Sequence, residues 1–193
     1  MKSVYPTRVM HLRRRHCLMA MGGAMVAGLA WAPMARADAL PDVPLINHDG
    51  RRVRLLSDVW RDRIALVSFV FTDCSTFCGM QSAMQAELQQ RLGARLGREV
   101  VLISLTLNPL ADDARRLSEY ARPFEPGPHW WWLTGEPSQV FRALDALGAD
   151  QGDPNDHGPL WLVGPAGAPR RLVGFPSIAQ LETAVIDAAG LRS

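Results

Sequence analysis

Lysine is almost missing from this 193-residue chain: Lys2 is the only one. Six of the 21 basic residues (Lys2, Arg8, Arg13, Arg14, Arg15 and Arg36) fall within residues 1–37, where there is no acid. Removing those six leaves 15 basic against 19 acidic residues in 38–193, so the overall +2 describes neither part. The body, at about −4, offers no basic surface for nucleic acid. Cysteine is nearly as scarce: three residues are too few for a disulfide scaffold. Internal repeats and low-complexity tracts are absent. What is present is an apolar content of 48%, enough for a packed core and incompatible with a disordered chain. The length suits one domain plus a tail.

That tail reads as an export signal. Arg13-Arg14-Arg15-His16 is a basic start, Cys17 to Ala32 is apolar, and Ala35-Arg36-Ala37 has the small-x-small pattern of a signal-peptidase site. Cleavage there leaves Asp38 first, and a domain over 38–193. The competing reading is a retained membrane anchor, but the apolar run falls short of the roughly 20 residues a span needs. Either way the domain is expected in the periplasm or another extracytoplasmic compartment.

In the body, Val43 to Leu55 predicts a β-hairpin turning at Asn47-His48-Asp49-Gly50. Ile64 to Phe71 and Val100 to Leu107 are near-continuous apolar runs, as in parallel strands covered on both faces. Between them Met80, Met84, Leu88, Leu92 and Leu96 recur every four residues, predicting one apolar helical stripe that stops at Gly97. Helices are expected over 112–121, 137–147 and from a capping box at Ser177–Gln180. Further strands are expected at Trp130–Leu133, Leu160–Val163 and Arg170–Val173. This order predicts an α/β, thioredoxin-like fold: a central mixed sheet flanked by helices, preceded by an N-terminal β-hairpin.

The chemistry centres on Cys74-Ser75-Thr76-Phe77-Cys78, between a buried strand and a helix. If the first helical turn includes both cysteines, residues four apart share a face and both sulfurs reach one ligand. A helix start favours thiolate. Two convergent thiolates suit Cu(I) or Zn(II), and the same pair can instead close into a disulfide. Two structural buried cysteines are the bland alternative. A trigonal Cu(I) site wants a third donor, and the body has three histidines. His48 sits in the hairpin turn and His129 beside Trp130-Trp131-Trp132. His157 precedes the Leu160 strand, a connection that packs against the cysteine turn in thioredoxin-like folds, and is the favoured candidate; Asp156 beside it is a candidate orienting carboxylate. Met80 and Met84 offer thioethers but read as core. Alternation along Trp130–Trp132 leaves at least one ring for solvent or a partner.

Four stretches carry a resemblance. They are Phe71-Thr72-Asp73-Cys74-Ser75-Thr76-Phe77-Cys78, Ser104-Leu105-Thr106 to Asn108-Pro109, Trp132-Leu133-Thr134-Gly135, and Asp156-His157 followed by Leu160 to Gly167. In this order they resemble the Sco/SenC family of thioredoxin-like copper-binding proteins. The resemblance implies copper, as Cu(I) or also Cu(II), held by Cys74, Cys78 and His157. It implies work on the copper-containing subunit of cytochrome c oxidase or a related copper enzyme, by metal delivery or by reduction of that centre's cysteines. Other copper chaperones or thiol reductants are further implied partners. The chain departs from the family where Ser75 and Gly79 stand in place of the usual prolines, so proline does not stiffen the turn. Asn108 stands in place of a frequent aspartate, which removes a carboxylate, and the segment from Gly148 to His157 is short.

The leading expectation is thus an exported metallochaperone. The alternative is a thiol–disulfide oxidoreductase in which Cys74 and Cys78 are the catalytic redox pair. A peroxidase on this fold would need one activated cysteine in a peroxide-binding turn, and no Thr/Arg arrangement surrounds the pair here.

Overall fold

The computed structural model describes residues 40–149, 152–154 and 158–191. The export signal expected over 1–37 lies outside them. Among the described residues no helix is long and apolar enough to cross a membrane.

The chain opens with β1 (Pro44–Asn47) and β2 (Arg52–Arg54), paired antiparallel as the sequence predicts. The Asn47 side-chain carbonyl accepts from the N–H groups of Asp49 and Arg51 at 3.2 and 2.8 Å, and Gly50 takes φ +79°, which closes the turn. A π-helical turn, Leu55–Trp60, leads to β3 (Ile64–Val70). Then come α1 (Cys78–Leu92), β4 (Val100–Thr106), α2 (Ala114–Ala121), β5 (Trp130–Thr134), α3 (Pro137–Ala146), β6 (Leu160–Gly164), β7 (Arg170–Val173) and α4 (Ile178–Ala188).

The described strands form one sheet in the order β2-β1-β5-β4-β3-β6-β7. Its centre, β5-β4-β3, is parallel, and both flanks are antiparallel. The long apolar runs occupy the middle: β4 is buried at every position and β3 at all but Ile64, as expected for strands covered on both faces. Trp60, Trp130, Trp132 and Trp161 are fully buried with them. The Ser177–Gln180 capping box forms with both reciprocal hydrogen bonds, and Leu181 and Val185 are the buried residues of α4. The mixed, helix-flanked sheet and the hairpin agree with the thioredoxin-like expectation.

Two expectations about α1 are corrected. The helix stops at Leu92, four residues before Leu96, because Gly93 adopts φ +50° and its N–H returns to the Gln89 carbonyl. The every-fourth-residue stripe is buried only in part: Leu88 and Leu92 lie in the core and Met84 packs against it. Met80 is 50% exposed, while Cys78, Gln81, Ser82, Gln85, Leu88 and Leu92 are buried. At 3.6 residues per turn, each four-residue step advances about 40°, so such a row winds away from the core. The buried face mixes Cys78, Leu88 and Leu92 with polar Gln81, Ser82 and Gln85, and Gln85 sits at the centre of a hydrogen-bonded cluster. Gln85 Oε1 accepts from Ser68 Oγ at 2.7 Å and Ser104 Oγ at 3.0 Å, and Trp130 Nε1 donates to Ser104 Oγ at 3.0 Å.

Candidate metal and redox centre

Both cysteines lie where β3 ends, at the C-terminal edge of the parallel strands. This is the edge where open α/β sheets place their sites. They are not on one helical turn, as the sequence suggested. Phe77 is the N-cap and Cys78 the first residue of α1, so Cys74 belongs to the preceding loop. The loop does the gathering. Cys74 N–H donates to the Phe71 carbonyl at 3.1 Å, which folds the chain back toward the helix start.

The two thiols are free, and they are unlike. Cys74 is half-buried and Cys78 fully buried. Burial by itself would raise the Cys74 thiol. Hydrogen bonds to its sulfur from the Cys78 thiol, the Thr76 hydroxyl, and the Thr76 and Cys78 backbone N–H groups outweigh it and bring the pKa down from 9.0 to about 7. The Thr76 Oγ1 contact is 3.4 Å. Cys78 moves the other way, to about 12, because it is buried and gives its hydrogen to Cys74. The pair is therefore a half-exposed nucleophilic sulfur backed by a buried thiol, and the Cys78 N–H at the head of α1 is one of the groups that favour thiolate at Cys74.

Around the loop stand groups that motif reading missed. Asp112, buried, accepts from the Thr72 N–H at 3.2 Å, from Thr72 Oγ1 at 2.6 Å and from Thr106 Oγ1 at 2.6 Å. Its own carbonyl accepts from Thr134 Oγ1 at 2.5 Å. Asp73, next to Cys74, pairs with Arg116 of α2 at 2.6 Å, which offsets its charge. Tyr120, also on α2, has its hydroxyl pushed up to about 12 by burial, with the neighbouring Cys78, Cys74 and Asp112 adding to the rise. Its ring packs on Trp132 at 5.7 Å and Phe124 at 5.8 Å.

The other expected residues divide. His157 and Asp156 lie outside the described residues. His48 and His129 are brought elsewhere. His129 precedes β5, at the end where the parallel strands begin, and His48 follows β1, with its N–H on the Trp132 carbonyl at 3.0 Å. Among the described residues no three His, Cys, Asp or Glu side chains group as a metal-binding set, so Cys74 and Cys78 supply two donors and no third beside them. The sulfur pair itself fits a soft cation: one sulfur ionises near neutrality and the second shares its hydrogen with the first. Of the Trp130–Trp132 run, Trp131 is the ring left partly exposed.

Solved structures similar to this fold include Arabidopsis thaliana ScoI with copper bound. It is 18% identical, with a TM-score of 0.62 over 80% of this chain and 99% of that one. BsSco, described as carrying a disulfide switch and as a member of the Sco family of cytochrome c oxidase assembly proteins, is 25% identical with a TM-score of 0.65. The match covers 80% of this chain and 95% of BsSco. Bradyrhizobium japonicum ScoI with copper bound is 20% identical, with a TM-score of 0.60 over 78% and 97%. No curated protein matches the chain. The SCO1/SenC family model matches residues 34–159, more than half of the sequence and inclusive of the cysteine loop, and the chain belongs to that family.

Proposed function

We propose that this protein is an extracytoplasmic copper-binding accessory protein. It serves the maturation of the copper centre of cytochrome c oxidase or a related copper enzyme, and its metal donors are Cys74, Cys78 and His157. The observation that carries this reading is the hydrogen-bonded sulfur pair at the end of β3, in a chain of the SCO1/SenC family. The copper-bound relatives support it, as does the donor chemistry, since two thiolates and an imidazole suit Cu(I). Residues 1–37 are the export signal and 38–193 the working domain, with the signal either removed near Asp38 or kept as an anchor. N-terminal sequencing of the exported protein separates these two.

The donor set is tested by titrating Cu(I) into the reduced protein, with X-ray absorption on the product. One equivalent should bind, with sulfur neighbours at about 2.3 Å, close to zinc–thiolate lengths. His157→Ala should lose a light-atom neighbour. An unchanged ligand shell in that variant removes His157 from the site, and one-to-one binding by Cys74→Ser/Cys78→Ser removes the site altogether.

A second reading has its own observation in its favour. An accessible thiol near pKa 7 backed by a buried thiol near 12 is the arrangement of an attacking and a resolving cysteine. In it the protein reduces a disulfide of its client: Cys74 attacks, and Cys78 then closes the bridge and releases the client as a dithiol. Turnover of a disulfide substrate with an external thiol reductant and no metal separates this reading from the first.

A further inference from the structure

The cysteine loop has no proline at 75 or 79, and Ser75 and Thr76 are exposed. A loop of this kind loses its fixed geometry unless something outside holds it, because ordering each backbone residue costs about 1–2 kcal/mol. The two residues ahead of Cys74 are both held, and both from one direction. Thr72 is bound through its N–H and its hydroxyl to the Asp112 carboxylate, just ahead of α2. Asp73 is bound through its carboxylate to Arg116, on the first turns of α2. Asp112 is fixed in turn by Thr106 at the end of β4 and by Thr134 at the end of β5. Behind the loop, Cys78 is fixed as the first residue of α1.

We propose that Asp112 and Arg116 are positioning residues that hold the Cys74–Cys78 pair in its reduced geometry. They take over the stiffening role that Ser75 and Gly79 do not supply. In the reduced pair the Cys74 sulfur accepts the Cys78 thiol and two backbone N–H groups. A disulfide needs the sulfurs about 2.05 Å apart with a defined torsion, so the loop must move and that hydrogen bond is lost. A loop held at Thr72 and Asp73 resists the movement, which favours the dithiol over the disulfide. This goes beyond the copper reading and holds with or without a metal.

The test is a redox titration of the full chain carrying Cys17→Ser, metal-free, against glutathione. One oxidised glutathione takes two electrons and two protons from the two thiols. The Cys74–Cys78 bond forms, the glutathione disulfide breaks, and two reduced glutathiones leave. Thr72→Val removes a hydroxyl donor from a buried carboxylate and should raise the equilibrium constant for disulfide formation about tenfold. Arg116→Gln removes a partly exposed ion pair and should raise it about threefold. Thr72→Ser, which keeps the hydroxyl, should restore the unmodified value. Arg115→Gln is the control: it breaks the neighbouring Arg115–Glu119 pair without touching the loop and should change nothing. Should Thr72→Val fail to fold, Arg116→Gln decides alone. Unshifted values for the folded loop variants, or an equal shift in Arg115→Gln, overturn the proposal.

Discussion

Gln81 Nε2 donates to the Leu160 carbonyl at 3.2 Å, tying the cysteine helix to the first residue of β6. Both residues are buried, and the Gln81 carbonyl oxygen on the same side chain has no hydrogen-bond partner among the described residues. An unsatisfied buried acceptor costs about 1–3 kcal/mol, comparable to or more than the roughly 1 kcal/mol a single neutral hydrogen bond returns. Gln81→Leu should therefore leave the thermal midpoint unchanged or raise it. Denaturant unfolding is the check: a loss of more than about 2 kcal/mol would mean that the tie to Leu160 outweighs the orphaned oxygen.

The thiols should titrate far apart. Cys74, at about 7, should alkylate with iodoacetamide at a rate that climbs through neutral pH and levels off by about pH 8. Cys78, at about 12 and buried, should stay unmodified in the folded protein over that range. Cys78→Ala removes a hydrogen-bond donor to the Cys74 sulfur, so the Cys74 midpoint should rise toward 9.0. An unmoved midpoint in that variant would show that the backbone N–H groups and Thr76 suffice.

Acid should act through Asp42. Its carboxylate accepts from Arg54 Nε at 2.8 Å, from the Leu56 and Ser57 N–H groups at 2.8 and 3.2 Å, and from Ser57 Oγ at 2.9 Å. Burial alone would raise its pKa, but these bonds prevail and lower it from 3.8 to about 2. A depressed carboxylate contributes stability that is full above the unfolded value of 3.8 and is lost as pH falls toward 2. Asp42→Asn should destabilise the protein at pH 7, and the gap to the unmodified protein should close as pH falls through that window. A gap that stays constant from pH 7 to pH 2 would sink the linkage.

Copper and the disulfide should exclude each other, under the proposed function. The same two sulfurs would serve both, and a bridge consumes both thiolates. The oxidised apo-protein, free of reductant and under anaerobic conditions, should not take up Cu(I). Undiminished one-to-one binding with the bridge intact would move the metal away from Cys74 and Cys78. In the reduced protein, binding displaces thiol protons, so the apparent affinity should rise with pH.

Much of the architecture was legible because its causes are local. The runs Ile64–Val70 and Val100–Thr106 are apolar on both faces and can only sit in the covered middle of a sheet. Asn47 and Gly50 carry their turn in their own side chains and backbone, and Ser177 with Gln180 carry theirs. The paired cysteines after a buried strand were likewise readable. The buried face of α1 was legible only in part. Leu88 and Leu92 of the apolar row are buried, but the face that packs also carries Gln81, Ser82 and Gln85. Those glutamine and serine side chains read as surface until Ser68, Ser104 and Leu160, 17 to 79 residues away, meet them.

The order of strands and helices, the place of the cysteine pair and the family all follow from neighbours along the chain. The difference between the two sulfurs arises only in the folded arrangement. Cys74 is lowered because a loop, and not a helical turn, wraps donors around it, and Cys78 is raised because the sheet and helices exclude water from it. Asp112 and Arg116 reach that loop from 40 and 43 residues along the chain, through side chains whose types announce nothing of the kind. Such contacts depend on which strand ends lie side by side, and β3, β4 and β5 become neighbours only when the sheet closes over its core.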